Sequence, residues 1–277
     1  DSSRKAGLNI KYAAGFLGCG NMGGALARAA AHAVAPGRIA LCDTDTKKAE
    51  ALALEIGGTV TDAADMIRDT AVLFLAVKPQ GMKAALEPLR AALAARADSL
   101  LLVTMAAGLT VADIRELSGF DGKIIRIMPN TPVGVGAGTI LYALGEGVGE
   151  EDEKIFLSLL SHAGLADRIP EEKIDAAGAL SGCGPAFVYL FCEALADGAV
   201  ACGVPRDKAM RYAANTVLGA AKTILDTGRH PGELKDAVCS PGGTTIEGVR
   251  LLEERAFRAA ATDAVIAAYE KTAKLKK

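Results

Sequence analysis

The length, composition and charge of the chain already exclude several classes of protein. Its 277 residues can bury a large core and fit one large domain or two of ordinary size, and we favour two. With 51% apolar residues, only 4% aromatic residues and no Trp, the chain is neither disordered nor a β-sandwich. A formal net charge of -2 gives no electrostatic reason for binding nucleic acid or an anionic membrane, so we expect neither partner.

The compartment is inferred from the cysteines and the N-terminal residues. Six cysteines occur without a C-x-x-C pair, which favours a reducing compartment and no structural zinc. Residues 1–11 lack the apolar segment of a secretory signal, and we expect them to form a tail outside the fold. We therefore expect a cytoplasmic protein, or an organellar one if a transit peptide has been removed. The most apolar run, Pro185 to Gly203, contains Glu193 and Asp197, which argue against a membrane span.

Short apolar runs alternate with helical patterns from Tyr12 to Ile169, as in a parallel sheet with crossover helices. Strands are predicted at 12–17, 38–42, 58–61, 71–77, 99–105, 123–128, 139–144 and 166–169. Helices are predicted at 22–34, 45–56, 62–68, 80–95, 110–118 and 150–163.

A glycine-rich turn follows the first predicted strand and opens the first predicted helix. Gly18 allows a tight turn, Gly20 removes the Cβ that would block a phosphate, and Gly23 lets the helix pack closely on the strand. The free N–H groups of the helix would then face an anionic pyrophosphate. This pattern predicts a Rossmann-type dinucleotide-binding domain, although an ordinary helix start remains the alternative.

An acidic residue stands where such a domain binds the adenosine ribose. Asp43 follows the second apolar run, twenty residues after Gly23, and its carboxylate can accept hydrogen bonds from ribose hydroxyls. A surface Asp after a strand is the simpler alternative.

Three further loops fall at carboxyl ends of predicted strands, where open parallel sheets bind ligands. Lys78 is the only charge in its apolar context, and Pro79 ends the strand. Ala106 and Ala107, with the next glycine, would let a flat ring approach the backbone. Asn130 lies between two prolines, so its amide either orients a ligand or caps a turn.

Strand signals stop after Pro170, and the remaining chain reads as helices broken by Gly and Pro. We therefore predict domains at 1–169 and 170–277, the second all-helical. The segment from Ala186 to Cys202 is apolar on nearly every face, more than a small domain can bury alone. Dimerisation through the helical domain is the simplest solution, and burial between the domains of one chain is the alternative.

The helical half contains a polar, glycine-rich segment around Ser240. Ser240 precedes a proline and two glycines, and Thr244 and Thr245 follow before an amphipathic helix. Backbone N–H groups and hydroxyls there could converge on a carboxylate, although the same residues suit an ordinary helix N-cap.

The sequence contains no recognisable motif for acid–base catalysis or metal binding. No Ser/His/Asp set, carboxylate pair or metal-ligand cluster stands out, and His32, His162 and His230 are far apart along the chain. Hydride transfer from a nicotinamide requires none of these groups, because the cofactor carries the difficult step. The sequence is therefore consistent with a reductase.

The motifs, taken in order, identify a family resemblance. They are G-C-G-N-M-G, A-V-K-P, V-T-M-A-A-G, R-I-M-P-N-T-P, L-S-G-C-G-P-A and H-P-G-E-L-K-D-A-V-C-S-P-G-G-T-T-I. From about Tyr12 to Tyr269, the chain strongly resembles pyrroline-5-carboxylate reductases. Cys183 and Cys239 stand where such enzymes often have hydroxyl residues, so hydroxyl chemistry is not expected at these two positions.

The resemblance implies reduction of 1-pyrroline-5-carboxylate to L-proline, the final step of proline biosynthesis, by a homodimer or higher homo-oligomer. It implies that Ser240, Gly243, Thr244 and Thr245 bind the substrate, next to the nicotinamide and partly at the dimer interface. Thr245 is the best candidate for hydrogen bonding the ring nitrogen, with Ser240 beside it as a second catalytic candidate. The cofactor residues would be Gly18, Gly20, Asn21, Met22, Gly23, Asp43, Thr44, Lys47, Ala76, Val77, Lys78, Pro79, Ala106, Ala107 and Asn130.

The choice of cofactor stays open at this point. Asp43 favours the free 2′-hydroxyl of NADH, because a 2′-phosphate beside it would meet a like charge. Thr44, Lys47 and Lys48 could still hold that phosphate, and the family habit favours NADPH.

Two alternatives compete with the reductase. A β-hydroxyacid-type dehydrogenase would carry a catalytic Lys early on the interdomain helix, but the stretch from Ala186 to Asp197 has none. A non-catalytic NAD(P)H sensor would tolerate loss of the segment around Ser240, which is complete here.

Overall fold

The computed structural model of the protein describes residues 10–275. Its described residues form two compact units, one containing 10–182 and 269–275 and the other Cys183–Ala268. The boundary predicted after residue 169 stays a prediction, and the packing of the chain adds that residues 170–182 belong with the first unit. Of the tail predicted at 1–11, residues 1–9 lie outside the described residues, whereas Lys11 already donates its N–H to the carbonyl of Asp69, 2.9 Å away.

The first unit is built on an eight-stranded sheet. Its strands are β1 (Tyr12–Leu17), β2 (Ile39–Cys42), β3 (Thr59–Val60), β4 (Thr70–Leu75), β5 (Leu101–Thr104), β6 (Lys123–Met128), β7 (Gly138–Leu144) and β8 (Gly164–Arg168). The spatial order is β3-β2-β1-β4-β5-β6-β7-β8. Successive strands from β3 across to β6 pair in parallel, so their carboxyl ends share one edge of the sheet.

Helices cover both faces of the sheet. They are α1 (Asn21–Ala31), α2 (Thr46–Ile56), α3 (Ala63–Asp69), α4 (Pro79–Leu86), α5 (Arg90–Ala94), α6 (Val111–Ser118), α7 (Glu150–Leu159) and α8 (Ile174–Ser181). One core cluster joins α1, α2 and α7 to the sheet and contains the stacked rings of Phe16 and Phe74. A second cluster joins the four helices from α3 through α6 to the sheet and contains Met82 and Phe120. Burial on both faces explains why β4 and β5 are apolar without alternation.

Two predictions about the first unit, one for a strand and one for a helix, are wrong in detail. β7 runs antiparallel to β6, because residues 129–137 are too few for a crossover helix and form a 3₁₀ turn at Thr131–Val135. The single helix predicted at 80–95 is three elements, with a 3₁₀ turn at Glu87–Leu89 between α4 and α5. Pro88 explains the break, since it lacks the N–H that a continuous helix requires.

The second unit is helical, as the fold class predicts. It contains α9 (Gly184–Ala201), α10 (Arg206–Thr227), α11 (Pro231–Ala237), α12 (Thr244–Glu254) and most of α13 (Phe257–Leu275). Only a small core, of Ala196, Ala209 and Ala213, is buried among its described residues. Most of the apolar surface of α9 is therefore uncovered within one chain.

One helical stretch in the described part of the chain, Glu171–Ala201, is long and apolar enough to cross a membrane by length and composition alone. Core helices of soluble proteins pass the same test. The stretch is not one regular helix, because a 3₁₀ turn at Glu171–Lys173, α8 and α9 succeed one another within it.

Candidate active site

The candidate cofactor site lies where the strand order of the sheet reverses. β1 pairs with β2 on one side and with β4 on the other. The connection after β1 therefore runs to one side of the sheet, and the connection after β4 runs to the other. Ligands of open α/β sheets bind in the crevice that such a reversal leaves at the carboxyl ends of the strands. The loops that follow β1 and β4 stand at this point.

The three glycines after β1 differ in what a side chain would meet. Gly18 has a φ of +106°, and an added Cβ would lie 2.6 Å from the carbonyl oxygen of Ala76. A Cβ at Gly23 would lie 2.2 Å from the carbonyl oxygen of Gly18, so α1 approaches the turn as closely as backbone atoms allow. At Gly20, which is exposed, a Cβ would meet nothing within 4 Å. Gly18 and Gly23 are required by the fold, whereas the protein itself gives no reason for a glycine at position 20.

The start of α1 is open to a ligand. Gly20 is its N-cap residue, no side chain caps the helix, and the first turn contains no acidic residue. The N–H groups of a first helical turn lack intrahelical partners and carry partial positive charge. The side chain of Asn21 is exposed, while Met22 packs partly against the first core cluster. The uncapped turn and the space above Gly20 fit a pyrophosphate, with Asn21 beside it.

Asp43 is tied to the glycine turn. Its Oδ2 accepts from the N–H of Cys19 at 2.6 Å, and its Oδ1 accepts from the N–H of Asp45 at 2.8 Å. The carboxylate therefore links the end of β2 to the turn after β1, a task that sequence reasoning missed. Oδ1 also accepts from the Thr44 hydroxyl at 3.5 Å, so Oδ2, which accepts from Cys19, is the oxygen that keeps a lone pair for a ribose hydroxyl. Thr44 and Lys47 are exposed close by.

The thiol of Cys19 lies within the same turn. Burial raises its pKa to about 12, with a further contribution from the negative charge of Asp43. The thiol is therefore neutral at physiological pH, and it adds no negative charge beside a bound phosphate.

The loop after β4 is arranged differently from the prediction. The strand ends at Leu75, and Pro79 does not end it but occupies the first turn of α4, where its missing N–H costs nothing. Lys78 is the N-cap residue and its side chain is exposed. Ala76 packs against the glycine turn, because a Cβ on Gly23 would lie 2.7 Å from its own Cβ. Val77 packs partly against the second core cluster.

The two alanines after β5 have different surroundings. Ala106 is 2% exposed in the second core cluster, and its N–H and carbonyl are hydrogen-bonded to Thr104 and Leu109. Ala107 is exposed, and Gly108 follows with a φ of +79°. Of these two alanines, Ala107 is the one that is exposed for contact with a flat ring.

Asn130 has a structural task in this fold. Its side chain is 7% exposed. Its Oδ1 accepts from the N–H of Thr139 at 2.8 Å, and its Nδ2 donates to the carbonyl of Ser181 at 2.9 Å. The amide thus joins the loop after β6 to β7 and to the end of α8. Direct contact of Asn130 with a nicotinamide stays a prediction.

A buried arginine in β6 is a further residue that sequence reasoning missed. Arg126 is 1% exposed and donates to Asp175 of α8 at 2.6 Å and to Glu171 at 3.4 Å. A guanidinium in a strand that is covered on both faces must have an acidic partner. An Arg among the apolar residues of β6 could therefore have indicated a buried ion pair. Arg126 and Asn130 together fasten residues 171–181 to the sheet.

The second unit contains the segment around Ser240, which ends in α12. Gly243 is the extended N-cap residue of α12, and no side chain caps that helix. Gly243 donates its N–H to the carbonyl of Ser240, and a Cβ on Gly243 would lie 2.4 Å from the Oγ of Ser240. Ser240, Thr244 and Thr245 are all exposed. Three hydroxyl groups and an open helix start therefore lie within one short segment, a combination suited to a carboxylate.

Comparison with known proteins is consistent with both halves of this description. A family model described as pyrroline-5-carboxylate reductase dimerisation matches residues 171–275, and one described as NADP oxidoreductase, coenzyme F420-dependent, matches residues 13–108. The pyrroline-5-carboxylate reductase of Escherichia coli K12 is 43% identical over 266 residues, which are 95% of this chain and 98% of that protein.

Solved structures agree. A pyrroline-5-carboxylate reductase from Coxiella burnetii superimposes with a TM-score of 0.86 at 31% identity, over 96% of this chain and 99% of the other. A pyrroline carboxylate reductase from Plasmodium falciparum with NADP bound superimposes with a TM-score of 0.84 at 30% identity, over 97% of this chain and 99% of the other. With identity above 40% along nearly its whole length and agreement in fold, the chain belongs to the pyrroline-5-carboxylate reductase family.

Proposed function

We propose that this protein reduces 1-pyrroline-5-carboxylate to L-proline with NAD(P)H, the final step of proline biosynthesis. The observation that carries the proposal is the 43% identity to a bacterial reductase over 95% of the chain. Neither a β-hydroxyacid-type dehydrogenase nor a non-catalytic sensor is favoured, because the relatives along the whole chain are pyrroline-5-carboxylate reductases.

The cofactor end of the site is proposed from the geometry of the first unit. The open space above Gly20 and the uncapped start of α1 suit the pyrophosphate, and Asp43 with Thr44 and Lys47 suits the adenosine ribose. The loops after β4 and β5 would hold the nicotinamide through the remaining predicted residues, which are Ala76, Val77, Lys78, Pro79, Ala106 and Ala107. When bound, the cofactor supplies the hydride.

The substrate end is proposed from the segment around Ser240. The N–H groups at the start of α12 and the hydroxyls of Ser240 and Thr244 would bind the substrate carboxylate. The hydroxyl of Thr245 would hydrogen-bond the ring nitrogen. The bound cofactor would supply a hydride for the carbon of the C=N bond, and the ring nitrogen, held by Thr245, would take up a proton from water to give the secondary amine. The protein contributes orientation and hydrogen bonds in this scheme.

The assay that tests the function follows oxidation of NADPH, and separately of NADH, with and without 1-pyrroline-5-carboxylate. We expect substrate-dependent oxidation and an equal amount of proline. Cofactor binding without turnover, in protein that melts cooperatively, would refute the assigned reaction.

We propose NADPH as the preferred cofactor and NADH as a second substrate. The bound NADP of the Plasmodium falciparum relative supports this choice, and the exposed Lys47 and Thr44 offer a cation and a hydroxyl to a 2′-phosphate. The negative charge of Asp43 opposes binding of a 2′-phosphate, and two backbone N–H groups hold its carboxylate in place.

Asp43→Ser should shift the selectivity further towards NADPH. We expect the ratio of kcat/KM for NADPH to that for NADH to rise about tenfold, because removal of a nearby like charge is worth about 1 to 2 kcal/mol close to a protein surface. Serine retains an acceptor for the N–H of Cys19. Steady-state kinetics with both cofactors measures the ratio, and Glu50→Ser, at an exposed acid further along α2, is the control. An unchanged ratio would show that Asp43 does not face the ribose.

The protein is a substrate-binding homo-oligomer, and we propose that the second unit forms a dimer. Only Ala196 of α9 is buried within one chain, and Tyr189 and Leu190 are 62% and 68% exposed. An apolar groove of about 880 Å³ between α9 and α10 continues this surface. So large an uncovered apolar area favours association.

Leu190→Glu should weaken the assembly. A buried unpaired carboxylate at the contact is costly, so we expect the molar mass in solution to fall to that of one chain at concentrations where the parent protein is assembled. Light scattering after size-exclusion chromatography measures it. Leu54→Glu is the matched control, since Leu54 is 89% exposed on α2 of the first unit. An unchanged mass for Leu190→Glu would place the contact elsewhere.

We also propose a cytoplasmic enzyme without a nucleic-acid or membrane partner. The formal net charge of -2 supports this, as do Glu193 and Asp197 within the most apolar helix. The relatives support a soluble enzyme, and an organellar location stays open as a variant of this proposal.

A further inference from the structure

Two of the three histidines, far apart along the sequence, meet in the first unit. The ring centres of His32 and His162 are 5.7 Å apart, with 51° between the ring planes. Both side chains are exposed, at the edge of a cavity of about 270 Å³ that is also lined by Arg28, Val133 and Val135. Neither the reaction nor the predicted site residues involve this cavity.

The spacing of the two rings suits a shared metal ion. Two imidazoles bound to one tetrahedral zinc, with Zn–N distances of about 2.0–2.1 Å, have ring centres about 5 to 6 Å apart. Neutral imidazole is a preferred ligand of Zn²⁺ and of neighbouring divalent metals, and water can complete the coordination. The observed separation lies within this range.

The charges around the cavity also permit a cation. Among the described residues that line it, Arg28 is the one other charged side chain, and its guanidinium is paired with both oxygens of Glu55 at 2.6 and 2.7 Å. His32 is the C-cap residue of α1, where helix carbonyl groups carry partial negative charge. The positive charge of Arg28 is thus offset, and the field of α1 favours a cation at its end.

We propose that His32 and His162 form a binding site for a divalent transition metal ion, with Zn²⁺ as the expected occupant. The bound ion would join His32, at the end of α1, to His162. The next residue, Ala163, accepts a hydrogen bond through its carbonyl from the N–H of Gly138 at the start of β7. A ligand that binds only the folded state raises the melting temperature, so the site has a thermal readout independent of catalysis.

The test is calorimetric titration of Zn²⁺ into the purified protein and into His32→Gln, His162→Gln and the double variant. We expect each single variant to bind at least about tenfold more weakly, and the double variant to show no saturable binding at this site, because the two rings hold one ion together. His230→Gln is the matched control, since His230 caps α11 in the other unit. The double variant keeps all six cysteines, so any Zn²⁺ that it still binds is not bound at this site.

Thermal melting supplies the second measurement. Saturating Zn²⁺ should raise the Tm of the parent protein and of His230→Gln by about 5 °C, and should leave the Tm of the double variant unchanged. Because both rings are exposed, we expect the variants to fold, and metal-free melts verify this. Equal Zn²⁺ affinity of the parent and the double variant would overturn the proposal, as would the absence of saturable binding.

Discussion

Thr245→Ala should lower kcat/KM for 1-pyrroline-5-carboxylate by about 100-fold, the cost typical of removing one hydrogen-bond donor at a reacting centre. The affinity for NADPH should stay within about twofold of the parent, because Thr245 belongs to the second unit and the proposed nucleotide contacts belong to the first. Steady-state kinetics and cofactor titration by fluorescence measure the two quantities.

Two variants control this prediction. Thr245→Ser keeps the hydroxyl and should restore most of the activity. Thr223→Ala removes the same side chain from α10, where its hydroxyl donates to the carbonyl of Gly219 within the helix, and should be nearly neutral. Equal losses of catalysis and of cofactor affinity in Thr245→Ala would contradict the assigned role.

Gly20→Ala should weaken cofactor binding by about 100-fold while the protein stays folded, because a methyl group would stand where the pyrophosphate approaches. The backbone tolerates the change, since Gly20 has a φ of -69° and an added Cβ meets nothing within 4 Å. A poorer N-cap residue should lower the Tm by no more than about 2 °C. Titration of NADPH and a thermal melt together test the prediction.

Gly23→Ala is the matched comparison. Its Cβ would lie 2.2 Å from the carbonyl oxygen of Gly18, so the turn and α1 must move apart. We expect a Tm at least about 5 °C lower, because overpacking against backbone is costly. If Gly20→Ala melted as early as Gly23→Ala, position 20 would have a structural role and its assignment to the phosphate would be wrong.

Much of the first unit could be predicted because its signals are local. Each predicted strand from 12–17 to 166–169 overlaps an observed one. The signal is clearest for buried strands such as β4 and β5, which are continuous apolar runs because helices cover both of their faces. The antiparallel direction of β7 escaped prediction because strand direction depends on the length and path of the preceding connection. The break at Pro88 could have been predicted, because proline acts locally.

The candidate site was predictable to a smaller extent. The glycine turn has a fixed spacing that backbone sterics impose, so Gly18 and Gly23 could be assigned tasks from sequence. The tie between Asp43 and the N–H of Cys19 and the burial of Ala106 depend on which atoms the folded chain brings together. The same holds for Asn130, where sequence reasoning left a ligand contact and a turn cap open, and its bonds to Thr139 and Ser181 join distant segments.

The fold class, the family, the glycine turn and the segment from Ser240 to Thr245 can be recognised from the amino-acid sequence, because they depend on local sterics, hydrophobic periodicity and contiguous motifs. Contacts between side chains that are distant along the chain are visible only in the folded protein. Folding buries Arg126 against Asp175 and brings His32 next to His162, 130 positions further along the chain. Contacts of this kind follow from the packing of whole elements, which no local pattern encodes.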